Sequence, residues 1–322
     1  MLERRRLLFL LVTFISLLLC FVCAAGENVK GSRQNLARTK ISKPVAATGS
    51  DTIKVGQKEN HVLRIALCHL DVSQGPQEIN IKKIEKAIHI AGGHGANWIL
   101  TPETALQGYY FYVIDPSQKE KIETQPSESI RPLLDASSKY GSYLFLGAGE
   151  RDEKANCYRN SCLVFGPDGK LVGRHSKLSA HVGFGAEKWS TNDCKLEPIV
   201  CSNVKTGVLA CSDIWFLQFP RILADKGAKI ILDLAAWPPT KETGDPLHSW
   251  ELASQWTNLP VVICNQTGKP RWMDMTLGQS TVIENGKAKF LYSGEEAVLL
   301  FEWDPETGKV VSKQFIIIPF KS

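Results

Sequence analysis

The chain has 322 residues, 43% of them apolar, and a formal net charge of +5. That length suits one large domain or two modest ones, with apolar content enough for a substantial core. The basic excess is concentrated in the first sixty positions, and no basic patch interleaved with aromatics follows, so a nucleic-acid partner is not expected.

Arg4, Arg5 and Arg6 cap an almost wholly apolar run, Leu7 to Val22, and Cys23-Ala24-Ala25 supplies small residues at a cleavage site. This order reads as a secretory signal peptide over residues 1–25, cleaved after Ala25, which predicts a secreted, periplasmic or otherwise extracytoplasmic protein. Retention as a membrane anchor is the alternative, although the run is slightly short for a spanning helix. Residues 26–60 are polar with few clustered apolar positions and read as a flexible leader. The organised domain is expected over residues 61–322.

Arg64 to Val72 reads as a first buried strand. Ile81, Ile84, Ala87, Ile88 and Ala91 recur at helical spacing and predict a helix over Ile79 to Ala91, stopped by Gly92, Gly93 and Gly95. Trp98 to Leu100 is a short strand, and Glu103 follows at once in Thr101-Pro102-Glu103. A carboxylate there is either a functional group or a cap of the next turn. The aromatic run Tyr109 to Tyr112 lines a pocket or packs as a flap. Ser129 to Tyr140 is a helix, and Tyr143 to Gly149 and Ser161 to Phe165 are strands. The turn Pro167-Asp168-Gly169 leads into Leu171 to Gly173, so the sheet is mixed. Lys177 lies just beyond, and Glu187 and Trp189 sit in the loop after it.

Leu196 to Cys201 and Val204 to Cys211 are the next strands. A segment with Pro220 and a helical pattern through Ile222, Leu223 and Ala224 separate them from the apolar run Ile230 to Ala236. That is a βαβ pattern, and Cys211 stands at the strand end where chemistry tends to sit in such folds. A buried structural cysteine is the competing reading. Ser249 to Asn258 is a helix, Val261 to Asn265 and Ala297 to Trp303 are strands, and the tail near Phe315 to Phe320 is apolar. So many strands interleaved with amphipathic helices call for a layered α/β or α+β domain, and a pair of sheets with helices outside would absorb them.

Seven cysteines follow the leader, and an odd number in an exported chain leaves at least one free thiol. Cys157 with Cys162, and Cys194 with Cys201, are the local candidates for pairing. No pair has zinc spacing, so neither a metal nor another cofactor is expected.

Glu103, Lys177 and Cys211 each follow an apolar strand, and together they supply the parts of covalent acyl transfer. A thiol is mostly protonated near neutrality, and a lysine ammonium beside it favours the thiolate and faces developing oxyanion charge. A carboxylate can take the thiol proton, return it to a leaving amine and then activate water. The Ser212 backbone N–H would complete an oxyanion site, and the intermediate is a thioester.

The segments WILTPETALQGY, GPDGKLVGRHSK, VLACSDIWFLQFPRILADKGAKII and NQTGKPRWMDMTLGQSTVIENG resemble, in that order, the motifs of the carbon–nitrogen hydrolase family, the nitrilase superfamily. The resemblance spans Arg64 to Asp304. It implies a four-layer α-β-β-α sandwich, often dimerised through helices beside the site, and a Glu103, Lys177, Cys211 triad. Glu187, in FGAEKW, matches a second glutamate that supports positioning. Ser212 stands where the family is often aromatic, and Arg221 where it is often acidic, so the subfamily stays open. The expected function is an exported thiol hydrolase acting on a non-peptide carbon–nitrogen bond, foremost that of a small-molecule amide. A nitrile hydrolase, an amide-forming acyltransferase and a non-catalytic binding protein on the same fold are the alternatives. A second copy of the chain is the expected partner, with membrane association through residues 1–25 if these are retained. Asp213 is expected to fix the turn after Cys211, His175 and His181 to serve local packing or hydrogen bonding, and the sequon Asn265-Gln266-Thr267 to be structural.

Overall fold

A computed structural model of the chain describes residues 62–109, 120–179, 195–241, 243–270 and 274–320, and the structural statements below concern those residues. Residues 1–60, Tyr110 to Tyr112, His181, Glu187, Trp189 and Cys194 lie outside them.

The first half of the chain alternates strand and helix. Strand β1 (Leu63–His69) is followed by helix α1 (Gln77–Gly93), β2 (Trp98–Leu100), α2 (Arg131–Lys139) and β3 (Tyr143–Asp152). Each helix returns the chain to a parallel neighbour, β1 to β2 and β2 to β3. The antiparallel strands β4 (Cys157–Phe165) and β5 (Leu171–Ser176) then extend the sheet. The second half repeats the plan. β6 (Ile199–Cys201) pairs antiparallel with β7 (Val204–Ala210), and α3 (Gln218–Asp225), β8 (Ile230–Ala235), α4 (Pro246–Thr257) and β9 (Val261–Asn265) continue in parallel. The hairpin β10 (Ser280–Glu284) and β11 (Lys287–Tyr292) closes this second sheet. The chain finally returns to the first sheet, where β12 (Ala297–Asp304) pairs antiparallel with β1 and carries β13 (Lys309–Val310) and β14 (Ile316–Pro319).

Strand alternation sorts the side chains into layers. Along β1, Ala66 and Cys68 join a core with Ile84, Ala87 and Leu133 of the helices, while Ile65 and Leu67 join one with Val208, Leu232 and Val262 of the other sheet. In the second sheet Leu209, Ile231 and Ile263 turn outward onto Leu223 of α3 and Trp250 of α4. Three apolar interiors between four layers make the α-β-β-α sandwich. Each fully buried Ile or Leu stabilises it by about 1.5–3 kcal/mol. No helix among the described residues is long and apolar enough to cross a membrane.

Several local expectations are corrected. Helix α3 begins before Pro220, at Gln218, and tolerates the proline because a first-turn N–H has no partner within the helix anyway. Gly92 does not stop α1 but packs within it, where a Cβ would lie 2.3 Å from the Tyr140 ring. Strand β11 was not foreseen, because its residues alternate between exposed and half-buried at a sheet edge. Cys157 and Cys162 are both free and do not pair. Five residues apart on β4, their side chains leave opposite faces of the sheet. Cys201 is free as well.

Candidate active site

The parallel strands of both sheets end at one rim, where Glu103 follows β2, Lys177 follows β5 and Cys211 and Ser212 follow β7. After β2 the chain presses against β3. The Thr101 N–H donates to Phe145 O at 3.0 Å, and Thr101 Oγ1 accepts the Gly147 N–H at 2.9 Å. A Cβ at position 147 would lie 2.0 Å from Pro102 O, so only glycine admits this approach. Glu103 is thereby fixed at 1% exposure. Its backbone N–H reaches Ala235 O of β8 at 3.4 Å, and its carbonyl accepts from Gln266 Nε2 at 2.7 Å.

Lys177 follows β5 directly and is fully buried. Its N–H donates to Asn160 O at 2.7 Å, and its Nζ donates to Glu103 Oε1 at 2.8 Å. Asn160 Nδ2 donates to the same oxygen at 2.7 Å. Desolvating two charges costs several kcal/mol per ion, so a buried pair of this kind is weak evidence for stability. In a rim of further buried ionisable groups it points instead to chemistry.

Cys211 opens a 3₁₀ turn, Cys211–Trp215, beyond β7, with φ +53°. A side chain in that left-handed region stores on the order of 1–3 kcal/mol and persists only where the surroundings impose it. Two carboxylates impose it here. Asp233 of β8 accepts the Cys211 N–H on Oδ1 at 2.6 Å and the Trp250 indole N–H on Oδ2 at 2.9 Å. Asp213 accepts the Leu178 and Ser179 N–H groups on Oδ1, at 3.0 and 2.8 Å, and pairs with His175 Nε2 on Oδ2 at 2.7 Å. It therefore clamps the lysine segment to the cysteine turn, and its Oδ2 also accepts the Ala210 N–H at 3.4 Å, within the turn it was expected to fix. The Ser212 hydroxyl meets Ser179 Oγ at 2.9 Å across the same joint. The glutamate turn and the cysteine turn are both fastened to the end of β8, through Ala235 and Asp233.

Electrostatics separate the two aspartates. Burial would push the Asp213 carboxyl up, but His175, Lys177 and the Ser179 N–H outweigh it and hold the group below the usual carboxylate range. Burial dominates at Asp233 and, with the charges of Glu103 and Asp213, pushes it up to about 8 against the pull of Trp250 and the Cys211 N–H. Burial also pushes the Cys68 and Cys201 thiols up to about 12, and those of Cys162 and Cys264 well above the ordinary value. No group of three or more His, Cys, Asp or Glu among the described residues is arranged to hold a metal.

The structure thus brings Glu103 and Lys177 into contact and ties both to the turn carrying Cys211 and Ser212. Asn160, Asp233, Trp250 and Gln266 were missed in the sequence. The signal at Asp233 was a lone polar residue inside the apolar run IILDLAA, whereas Asn160, between Arg159 and Ser161, carries no such signal. The sequon asparagine, Asn265, is fully buried, donates to Trp237 O at 2.8 Å and accepts the Trp237 N–H at 2.9 Å, so it is structural in the folded chain.

Residues 64–292 match the family model described as Carbon-nitrogen hydrolase. The chain is 30% identical over 198 residues to the omega-amidase NIT2 of Danio rerio, an overlap of 59% of this chain and 67% of that protein. It is 30% identical over 178 residues to the citrullinase of Francisella tularensis, covering 53% and 60% of the two chains. In fold it is similar to Saccharomyces cerevisiae Nit3, a member of the nitrilase superfamily, with a TM-score of 0.66 at 22% identity over 76% of this chain and 91% of that one.

Proposed function

This chain belongs to the carbon–nitrogen hydrolase family, and from that premise we propose that it is an exported amidase-type thiol hydrolase with Cys211 as nucleophile. The observation that carries the reading is the buried Glu103–Lys177 pair, 2.8 Å apart and fastened through Asp213 and β8 to the strained cysteine turn. The relatives named omega-amidase and citrullinase support an amide-type bond.

In this mechanism Cys211 Sγ attacks the amide carbonyl carbon as its proton passes to Glu103. Lys177 Nζ and Asn160 Nδ2 both donate to Glu103 Oε1 and hold the carboxylate in place. Lys177 Nζ and the Ser212 N–H face the oxyanion. Collapse breaks the carbon–nitrogen bond, the proton moves from Glu103 to the leaving nitrogen, and ammonia or an amine departs from a thioester. Water then attacks the thioester carbon, giving a proton to Glu103, and the sulfur leaves and recovers that proton. Glu187 takes the role the family resemblance gives it, orienting the amide nitrogen.

The test is Cys211→Ala, assayed on a panel of aliphatic amides, carbamoyl amino acids, pantetheine-like amides and nitriles, with release of ammonia, amine or acid followed. Amide turnover by the parent chain, abolished in a variant of unchanged circular dichroism, is the expected result. Full activity in the variant removes the mechanism, and turnover of nitriles alone removes the amide preference. Transfer to an added amine without hydrolysis makes the protein an acyltransferase. Export is read from the intact mass of the expressed protein, which should begin at Gly26. A chain starting at Met1 in the membrane fraction replaces secretion with anchoring. A second copy of the chain is the proposed partner, read by light scattering of the mature protein.

A further inference from the structure

We propose that Asp233 is a positioning residue for the nucleophile: its Oδ1 captures the Cys211 N–H, imposes the left-handed backbone that presents Sγ, and leaves oxyanion binding to Ser212. The inference rests on Cys211 being the nucleophile. Its ground is the geometry of β7 and β8. Leu209 and Asp233 are register partners on these parallel strands. The carboxyl therefore lies beside the strand end from which Cys211 turns, and its Oδ1 meets the Cys211 N–H at 2.6 Å. An aspartate at the centre of IILDLAA has no surface to reach and is fully buried. Trp250 of α4 holds its other oxygen at 2.9 Å, so indole and carboxyl form a rigid bracket under the turn. The Cys211 N–H is committed to this bracket, and the next N–H along the chain, that of Ser212, is the one left to meet an oxyanion.

The bracket also sets a charge. Asp233 is faced by Cys211 and Asp213 of the turn, Glu103 from beyond β2, the Cys162 thiol of β4, and Trp250, with Lys177 and His175 at one remove through Asp213. Burial and the neighbouring carboxylates push its carboxyl up to about 8. Near neutrality the bracket is then a neutral acid that accepts the N–H without opposing a thiolate. Above that range it becomes an anion under the cysteine turn and disfavours one.

The test uses the full chain and iodoacetamide as the probe, with alkylation of the Cys211 peptide followed by mass spectrometry from pH 5 to 10. Asp233→Leu removes the acceptor. A buried N–H left unsatisfied is expected to slow Cys211 alkylation and amide turnover by about tenfold or more. Asp233→Asn keeps an acceptor but points its amide at the indole N–H, so it is paired with Trp250→Phe. That double variant is expected to recover the neutral-pH rate to within about threefold and to show a steeper rise above about pH 8 than the parent chain. Asp233→Leu, folded by circular dichroism and alkylated at the parental rate, overturns the inference. So do equal losses in both variants, because a merely structural role predicts them, and so does an unchanged pH profile in the double variant. If Cys211→Ala keeps turnover the parent reading fails instead, whatever Asp233 does.

Discussion

The space between the two sheets and the rim at the ends of their parallel strands both bury cysteine, with opposite consequences. Between the sheets Cys162, Cys201 and Cys264 sit among Ile65, Leu67, Phe145, Val208 and Leu232. Burial dominates there: Cys264 Sγ donates to Leu100 O at 3.3 Å, and the Thr206 hydroxyl gives Cys201 only a smaller opposing pull. Burial pushes these thiols far up, and they behave as small apolar groups. Cys211 is as buried, yet it lies beyond its strand, in a left-handed turn braced by two aspartates and next to a segment carrying a buried ammonium. Burial alone does not decide what a cysteine does. The groups it is buried against do.

The largest expected effect separates the two environments directly. Cys211→Ala should lower kcat by at least about 10⁴-fold, since loss of a covalent nucleophile removes the pathway itself. Cys264→Ala should leave kcat unchanged and cost about 1–2 kcal/mol of stability through the small void and the lost thiol contacts. Urea unfolding beside steady-state kinetics reads both. Equal activity losses in the two variants would erase the distinction. In the folded chain iodoacetamide at neutral pH should modify Cys211 well before Cys162, Cys201 or Cys264, and denaturant should level the rates.

The next effect probes what makes the rim different. Glu103→Gln or Lys177→Met leaves one buried charge without its partner, at a cost of about 3–5 kcal/mol. Either should also reduce kcat by about 10²–10⁴-fold, the range of general acid–base catalysis. The double variant removes both charges and should be less destabilised than the two single losses added together. Simple additivity in urea unfolding would show that the 2.8 Å pair is not an energetic unit.

These features differ in how far the sequence revealed them. Helix faces such as Ile81, Ile84, Ala87 and Ile88 were legible because burial on one side imposes a helical period, and Trp98 to Leu100 and Val261 to Asn265 were legible as strands because apolar runs of that length fit a sheet buried on both faces. Glu103 and Cys211 were legible because each stands at the end of such a run, whereas Lys177 follows the more polar strand LVGRHS and was singled out by the family resemblance. Their supports were not. Asn160 meets Glu103 across 57 positions and Asp233 meets Cys211 across 22, and no local period encodes contacts between strands so far apart in the chain. The edge strand β11 escaped for the opposite reason, since its exposed side demands no apolar pattern.

The smallest effect concerns two buried histidines. His175 faces a carboxylate, Asp213, at 2.7 Å. His69 faces the Ser280 hydroxyl at 2.9 Å and the edge of Tyr292, ring centroids 5.2 Å apart, with no carboxylate in either contact. Burial lowers the His69 imidazole to about 4, against a smaller opposing pull from backbone groups of Asn265 and Gly294. A histidine whose folded pKa lies below its unfolded value of about 6.5 takes up its proton first in the unfolded chain. Its contribution to stability is therefore whole above about pH 6.5 and is lost as the pH falls towards 4. The full loss is at most on the order of 3 kcal/mol. His69→Asn keeps a polar atom near Ser280 Oγ but cannot titrate. Its urea midpoint should be lower than the parent's at pH 7 and should fall less between pH 6.5 and 4, so the two curves converge on acidification. Parallel curves across that window would mean that His69 is hydrated or otherwise paired in the folded chain. The reading of His69 as a histidine placed to exclude charge would then fail.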